Sequence, residues 1–133
     1  MNKLLIATTV GVFASGMAFA AFAQNGPAHQ EVATAHAHAL MAQNAETVAK
    51  AHTHLHHVVN CLVGPGGKGF DASAGNPCKG QGDGALSDTV INAELHGKVK
   101  QALSEARAGL QADKLTTIHG DAAMAAATLQ FDH

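Results

Sequence analysis

A glycine-rich stretch in the middle of the chain separates two parts that have the composition of helices. Residues 64–84 contain eight glycines and two of the three prolines. A segment of this kind loses too much conformational entropy on ordering to form a helix or a strand by itself. We therefore expect an irregular crossover loop at residues 63–86, with a helical part on each side of it.

The part before the loop consists mostly of good helix formers. From Pro27 to Leu62 it has no glycine, and no proline after Pro27, which suits the first turn of a helix. Two arrangements are open: one long helix, or two helices with a break near Asn44, which would then cap the second. The absence of glycine and proline from Gln43 to Thr47 favours the continuous helix. Apolar residues recur in it every seven positions, at Met41, Val48, Leu55 and Leu62.

The part after the loop contains a second apolar pattern with helical spacing. Ser87 and Asp88 are predicted to cap this helix. Its apolar positions are Val90, Ile91, Leu95, Val99, Ala102, Leu103, Ala106 and Leu110.

One straight helix to residue 130 would turn its apolar face to the opposite side, so a break is expected between Gly109 and Asp113. Asp113 would cap a last helix from Lys114 to about Gln130. No alternating strand pattern occurs in the sequence. The predicted fold class is therefore all-α, a small bundle of three helices, or four if the first is broken.

The first 23 residues have the pattern of a secretory signal peptide. A basic residue, Lys3, precedes an apolar run at 4–13, and small residues flank position 19 and position 22. We expect cleavage after Ala23, which would leave residues 24–133 as a single helical-bundle domain. The expected location is the periplasm or the exterior, with no membrane association after cleavage.

Export decides how the two cysteines are interpreted. Thiols pair and persist in an oxidising compartment, so a disulfide between Cys61 and Cys78 is expected. The chain-entropy model gives such a loop about 3 kcal/mol of stabilisation. A redox-active pair would require the shorter Cys-x-x-Cys spacing, which is absent.

Charge and composition argue against several classes of partner and chemistry. The chain has eight Lys and Arg residues and ten Asp and Glu residues, which gives a formal charge of −2. A net acidic chain with few aromatic residues is not typical of proteins that bind nucleic acid. The His-Glu-x-x-His motif of zinc proteases is absent, and no serine lies in a glycine elbow beside a histidine. We therefore expect that the protein is not an enzyme.

Histidines are the most prominent polar residues of the first helical part. The chain has ten in all, and seven of them lie between positions 29 and 57. His52 and His56 are four residues apart on one helix face, a spacing at which two imidazoles can bind one metal ion. His54 and His57, three residues apart, form a second pair that faces differently. These four histidines are the predicted metal ligands of the helix, and His52 and His56 are the leading pair.

A third ligand would have to come from another helix. His96 and His119 are the histidines available there, and His96 is preferred because its height along the next helix matches that of His57 within about one turn. His36 and His38 sit too far up the helix to complete either pair.

Together these patterns predict an exported histidine-rich protein that binds or buffers a divalent transition metal: nickel, zinc or copper(II). Haem is also open, since a histidine on a helix can be its axial ligand. The alternative is a structural or stress-protective module, without a specific metal, whose histidines respond to acid. A homodimer is plausible, because a long first helix would extend past its partners.

Overall fold

The computed structural model describes residues 26–130, and within this range the chain is helical and has no strand. The predicted all-α class is confirmed. The expected signal peptide, residues 1–23, lies outside the described residues. No helix in the described range is long and apolar enough to cross a lipid bilayer. The elements are α1 Pro27–Gln43, α2 Val48–Val63, a 3-10 turn Ala72–Ala74, α3 Ala85–Asp88, α4 Ala93–Gln111 and α5 Leu115–Leu129.

The helices form one bundle around an alanine-rich core. α1 packs against α2 and α5, and α4 packs against α5 and α2. Leu55, Leu62, Ile118 and Leu129 are the largest apolar side chains at its centre. Much of the remaining core consists of alanine, at positions 35, 39, 42, 51, 102, 106, 122 and 125. Because alanine side chains are small, neighbouring helices can approach closely, although each residue buries little apolar area.

The expected continuous first helix is wrong: the chain folds into two helices, α1 and α2. The break lies where the open alternative put it, but its cap is different. Asn44 closes α1, with its side-chain Nδ2 donating to Leu40 O at 2.8 Å. Thr47 caps α2, and its Oγ1 accepts from the backbone N of Lys50 at 3.2 Å. We call residues 44–47 the corner.

Glycine and proline were not needed for the corner, because its residues all have negative φ. Asn44 has φ −105° and Thr47 has φ −137°, and both values suit ordinary residues. The break also changes the phase of the apolar pattern. Met41, which the seven-residue repeat assigned to the core, is 48% exposed.

The predicted irregular loop occupies the space between α2 and α3. Gly64 ends α2 with φ 70°, and the Cys61–Cys78 disulfide is formed, as expected. Asn60 is fully buried, and its side chain holds the loop by hydrogen bonds to the loop backbone. Its Nδ2 donates to the carbonyls of Asp71 and Gly75 at 2.7 and 2.6 Å, and its Oδ1 accepts from Asp71 N at 2.8 Å.

The region after the loop differs from the predicted helix at its start. Ser87 and Asp88 belong to the short α3 and do not cap α4, which begins at Ala93 with Asn92 as its cap. Asn92 takes this role because its side chain accepts a hydrogen bond from Leu95 N at 3.1 Å. Val90 and Ile91 lie in the turn before it and are 64% and 96% exposed.

The predicted break before the last helix is confirmed, since α4 ends at Gln111 and α5 begins at Leu115. The predicted cap is wrong. Lys114, not Asp113, occupies the capping position, and no side chain there accepts a hydrogen bond from the helix.

Candidate metal centre

Three histidines from α1 and α2 converge at the surface between these helices. They are His38, His54 and His57, and each offers one ring nitrogen within 4.8 Å of those of the other two. His38 Nδ1 lies 3.2 Å from His54 Nδ1 and 3.3 Å from His57 Nδ1. All three side chains are half-buried, so the cluster is held by its surroundings yet remains reachable from solvent. We call these residues the histidine cluster.

The corner explains why histidines far apart in sequence meet. His38 lies five residues before the end of α1 at Gln43, and His54 lies six residues after the start of α2 at Val48. At 1.5 Å per residue these positions are about 7.5 and 9 Å from the corner. Since α1 folds back on α2, residues at equal distances from the corner become neighbours. His57 follows His54 by three residues and therefore shares its helix face.

Hydrogen bonding fixes the tautomer of His57. Its Nε2 lies 2.6 Å from the carbonyl oxygen of Ala74, and because a carbonyl oxygen can only accept, Nε2 carries the proton and donates. In the neutral ring, Nδ1 then has a free lone pair that faces His38. A histidine that donates one N–H to a backbone carbonyl while its other nitrogen is unprotonated has the arrangement of a metal ligand.

The spacing of the nitrogens matches that of ligands around one ion. Zinc–nitrogen bonds of about 2.0–2.1 Å in tetrahedral geometry separate two ligand nitrogens by about 3.3 Å. The two Nδ1–Nδ1 distances, 3.2 and 3.3 Å, agree with this value. A single N–H can form a good hydrogen bond across only one of these two Nδ1–Nδ1 contacts. At the other contact, two nitrogen lone pairs then face each other. A cation between the three nitrogens would accept all three lone pairs.

Burial and the repulsion between neighbouring rings keep His38 and His54 in the neutral form that binds metals. Burial, followed by repulsion from His57 and His54, lowers the pKa of His38 to about 4. Burial and the proximity of His57 also lower the pKa of His54. Both rings are therefore neutral at pH 7, the form in which imidazole binds a metal ion.

The donor set is composed of nitrogen. Cys61 and Cys78 are joined in a disulfide, so neither supplies a thiolate. Imidazole nitrogens suit zinc, copper(II) and nickel, whereas calcium and magnesium prefer oxygen ligands. The described residues thus contain a group of three histidines that could hold a metal ion.

The other predicted ligands lie outside the cluster and make separate contacts. His52 Nε2 donates to Ala112 O at 3.1 Å, at the end of α4, and His119 Nε2 donates to Ala45 O at 2.8 Å, in the corner. His56 Nδ1 lies 3.5 Å from the Asp71 carboxylate. His96 Nδ1 lies 3.2 Å from Thr89 Oγ1. Of the predicted set, the structure therefore brings together His54 and His57 and joins them to His38.

The inference that His38 sits too far along the helix is wrong, because it rested on a continuous first helix. Two residues carried the missing signal. Asn44 favours helix ends and Thr47 favours helix starts. With a corner placed between them, counting outward along both helices would have paired His38 with His54.

Comparison with protein-family models, with curated proteins and with solved structures found no match for this chain.

Proposed function

We propose that this chain is an exported, non-enzymatic protein that binds or buffers a divalent transition metal ion on His38, His54 and His57. The observation that carries the proposal is the convergence of three nitrogens at distances of 3.2 and 3.3 Å, which is the spacing of ligands around one ion. Zinc, nickel and copper(II) are the candidates, because all three accept neutral imidazole.

The form of the site suits reversible binding. Three protein ligands leave the remaining coordination positions for water or for a donor from another molecule. The half-buried rings give an ion a path to solvent. An exported protein with such a site can take up an ion and release it, which is what buffering requires.

Haem, the other ligand expected from the sequence, does not suit the histidine cluster. The porphyrin ring supplies four nitrogens in the plane of the iron, so protein ligands bind on the two opposite faces. The cluster nitrogens instead approach one another closely enough to share one ion, and a macrocycle does not fit between them.

The alternative of an acid-responsive structural module is less well supported. That function requires the histidines to gain charge together as the pH falls below about 6.5. The pKa of His38 is lowered to about 4, and the pKa of His54 is lowered too. His38 would therefore stay neutral through most of the range in which such a module should respond, and His54 would gain charge only at a lower pH than an ordinary histidine.

The test compares the two histidine pairs of α2 in the same titration. Zinc, nickel and copper(II) are titrated by calorimetry at pH 7.5 into tag-free protein and into two double variants, His54→Ala/His57→Ala and His52→Ala/His56→Ala. We expect one equivalent to bind the wild type. The first variant should lose affinity by about a hundredfold or more, because two ligands are gone. The second should bind as the wild type does.

Circular dichroism of each variant checks that the bundle is intact. Loss of binding only in the His52→Ala/His56→Ala variant would move the site to the other helix face and contradict the proposal. Absence of measurable heat in the wild type with all three metals would remove the function altogether.

A further inference from the structure

A groove of the described chain lies on the side of α4 that carries His96. It has a volume of about 630 Å³, within the range typical of sites for cofactors and small molecules. One wall is a stripe of α4 that includes His96, Lys100 and Leu103. The other consists of α3 and the turn after it, including Leu86 and Val90, and Val63 of α2 and Gly67 of the loop complete the lining. Most of the exposed lining is apolar, which indicates a ligand with a large apolar part.

His96 stands in this groove with a defined tautomer. The hydroxyl of Thr89 donates its proton to Ala85 O at 2.6 Å. The same oxygen, 3.2 Å from His96 Nδ1, must therefore accept a hydrogen bond from it. Nδ1 carries the ring proton, and Nε2 of the neutral ring has its lone pair. Thr89 is only 1% exposed, so it holds the ring as the hydrogen-bond partner of a metal ligand does.

The charged residues of the groove are all basic. Lys100 lies one helical turn beyond His96, and Arg107 lies two further turns along the same stripe of α4. Arg107 donates one hydrogen bond to Lys68 O at 2.7 Å, and its guanidinium has further N–H donors. No Asp or Glu lines this groove, although the chain as a whole carries a formal charge of −2. The ligand that complements such a surface is an anion.

We propose that this groove binds haem, with His96 Nε2 as an axial ligand of the iron. The apolar walls would cover the porphyrin, and Lys100 and Arg107 would face its two propionates. Histidine on a helix serves as a haem ligand in many folds. This site is separate from the histidine cluster and does not depend on it, because none of the three cluster histidines lines the groove.

The experiment titrates haem into the metal-free protein and follows the Soret band. We expect one equivalent to bind with a histidine-ligated spectrum. His96→Ala should lose that spectrum and weaken binding about tenfold or more, since a ligand should matter at least as much as its hydrogen-bond partner. Lys100→Gln should weaken binding only about two- to fivefold, as expected for an exposed charge. A triple variant of His38, His54 and His57 to alanine should bind haem unchanged.

Two neighbouring exposed residues give a matched control for the groove itself. Val90 lines the groove and Ile91 does not, yet both are exposed, so neither substitution should unfold the bundle. Val90→Asp should weaken haem and iron-free protoporphyrin alike, and Ile91→Asp should weaken neither. The proposal is overturned if haem does not bind, if His96→Ala keeps the wild-type spectrum and affinity, if the cluster variant loses haem, or if both aspartate variants behave alike.

Discussion

The chain reverses direction at both ends of α2, and the two reversals are built differently. The corner at residues 44–47 uses four ordinary residues with negative φ, closed by Asn44 and Thr47. The loop after α2 needs about twenty residues, five glycines with positive φ and a disulfide. The corner therefore depends on side-chain caps, whereas the loop depends on backbone freedom and a covalent bond.

The two reversals also contribute differently to the histidine cluster. The corner brings His38 of α1 to His54 of α2, so it assembles the site. The loop supplies Ala74, whose carbonyl accepts from His57 Nε2 at 2.6 Å and orients that ring. Substitutions in the loop should therefore mainly lower the free energy of unfolding, and loss of the corner should mainly weaken metal binding.

The largest loss of stability is expected where the loop leaves α2. A Cβ at Gly64 would collide with the backbone of Asp83, and its φ of 70° is unfavourable for other residues. Gly64→Ala should therefore cost about 4 kcal/mol or more in the free energy of unfolding. Gly66→Ala is the control, because a Cβ there meets nothing within 4 Å, and its effect should stay within about 0.5 kcal/mol. Urea unfolding of both variants measures this difference, and equal stabilities would contradict it.

The disulfide comes next in expected size. Replacing Cys61 and Cys78 together with serine removes a cross-link between residues 17 apart in sequence. We expect a loss of about 3 kcal/mol, from the greater freedom of the unfolded chain. The folded double variant should still bind metal, because neither sulfur belongs to the cluster. A loss below about 1 kcal/mol would mean that Asn60 and the glycines suffice to hold the loop.

Glu31 of α1 holds the far end of the loop by a hydrogen bond. We expect it to contribute a pH-dependent part of the free energy of unfolding, on the order of 2 kcal/mol. Its Oε1 accepts from Gly84 N at 2.7 Å, and it is 1% exposed. Burial, with smaller effects of Asp88 and Asp83, raises its pKa from 4.5 to about 7. The folded state therefore holds the proton more tightly than the unfolded state. This stabilisation is complete below pH 4.5 and disappears as the pH rises to about 7.

Glu31→Gln isolates this contribution, because glutamine keeps the acceptor for Gly84 and cannot ionise. The variant matters because His38 acts in the opposite direction: its lowered pKa makes the fold lose stability as the pH falls from 6.5 to about 4. In urea unfolding, the free energy of unfolding of the variant, relative to that of the wild type, should increase as the pH rises from 5 to 8. A difference that stays constant across this range would show that Glu31 ionises normally.

The smallest effect is expected at the corner. Thr47→Ala removes the hydrogen bond from Lys50 N to Thr47 Oγ1, which should cost about 1 kcal/mol. Thr53→Ala on the same helix is the control and should be neutral or slightly stabilising, because Thr53 is exposed and alanine is the better helix former. Thermal unfolding of the pair measures the difference. A Thr47→Ala variant as stable as Thr53→Ala would mean that the cap does not hold the corner.

The contrast between the reversals also explains what could be predicted from the sequence. The loop followed from composition, the disulfide followed from the expected export of a chain with two cysteines, and the break after Gln111 followed from the phase of the apolar pattern. The corner did not, because Asn44 and Thr47 are single polar residues in a stretch that otherwise favours helix. In one continuous helix without the corner, His38 and His54 would lie far apart. Val90 and Ile91 were misassigned because apolar spacing does not reveal that these side chains are exposed.

The metal site requires that the corner bring α1 to α2, and one pair of variants tests this directly. His38→Ala and His36→Ala change neighbouring half-buried histidines of the same helix, and only His38 belongs to the cluster. In calorimetric titration at pH 7.5 with the metal that binds the wild type most tightly, His38→Ala should weaken binding about tenfold or more, and His36→Ala should leave it unchanged. Wild-type affinity in His38→Ala would contradict the account.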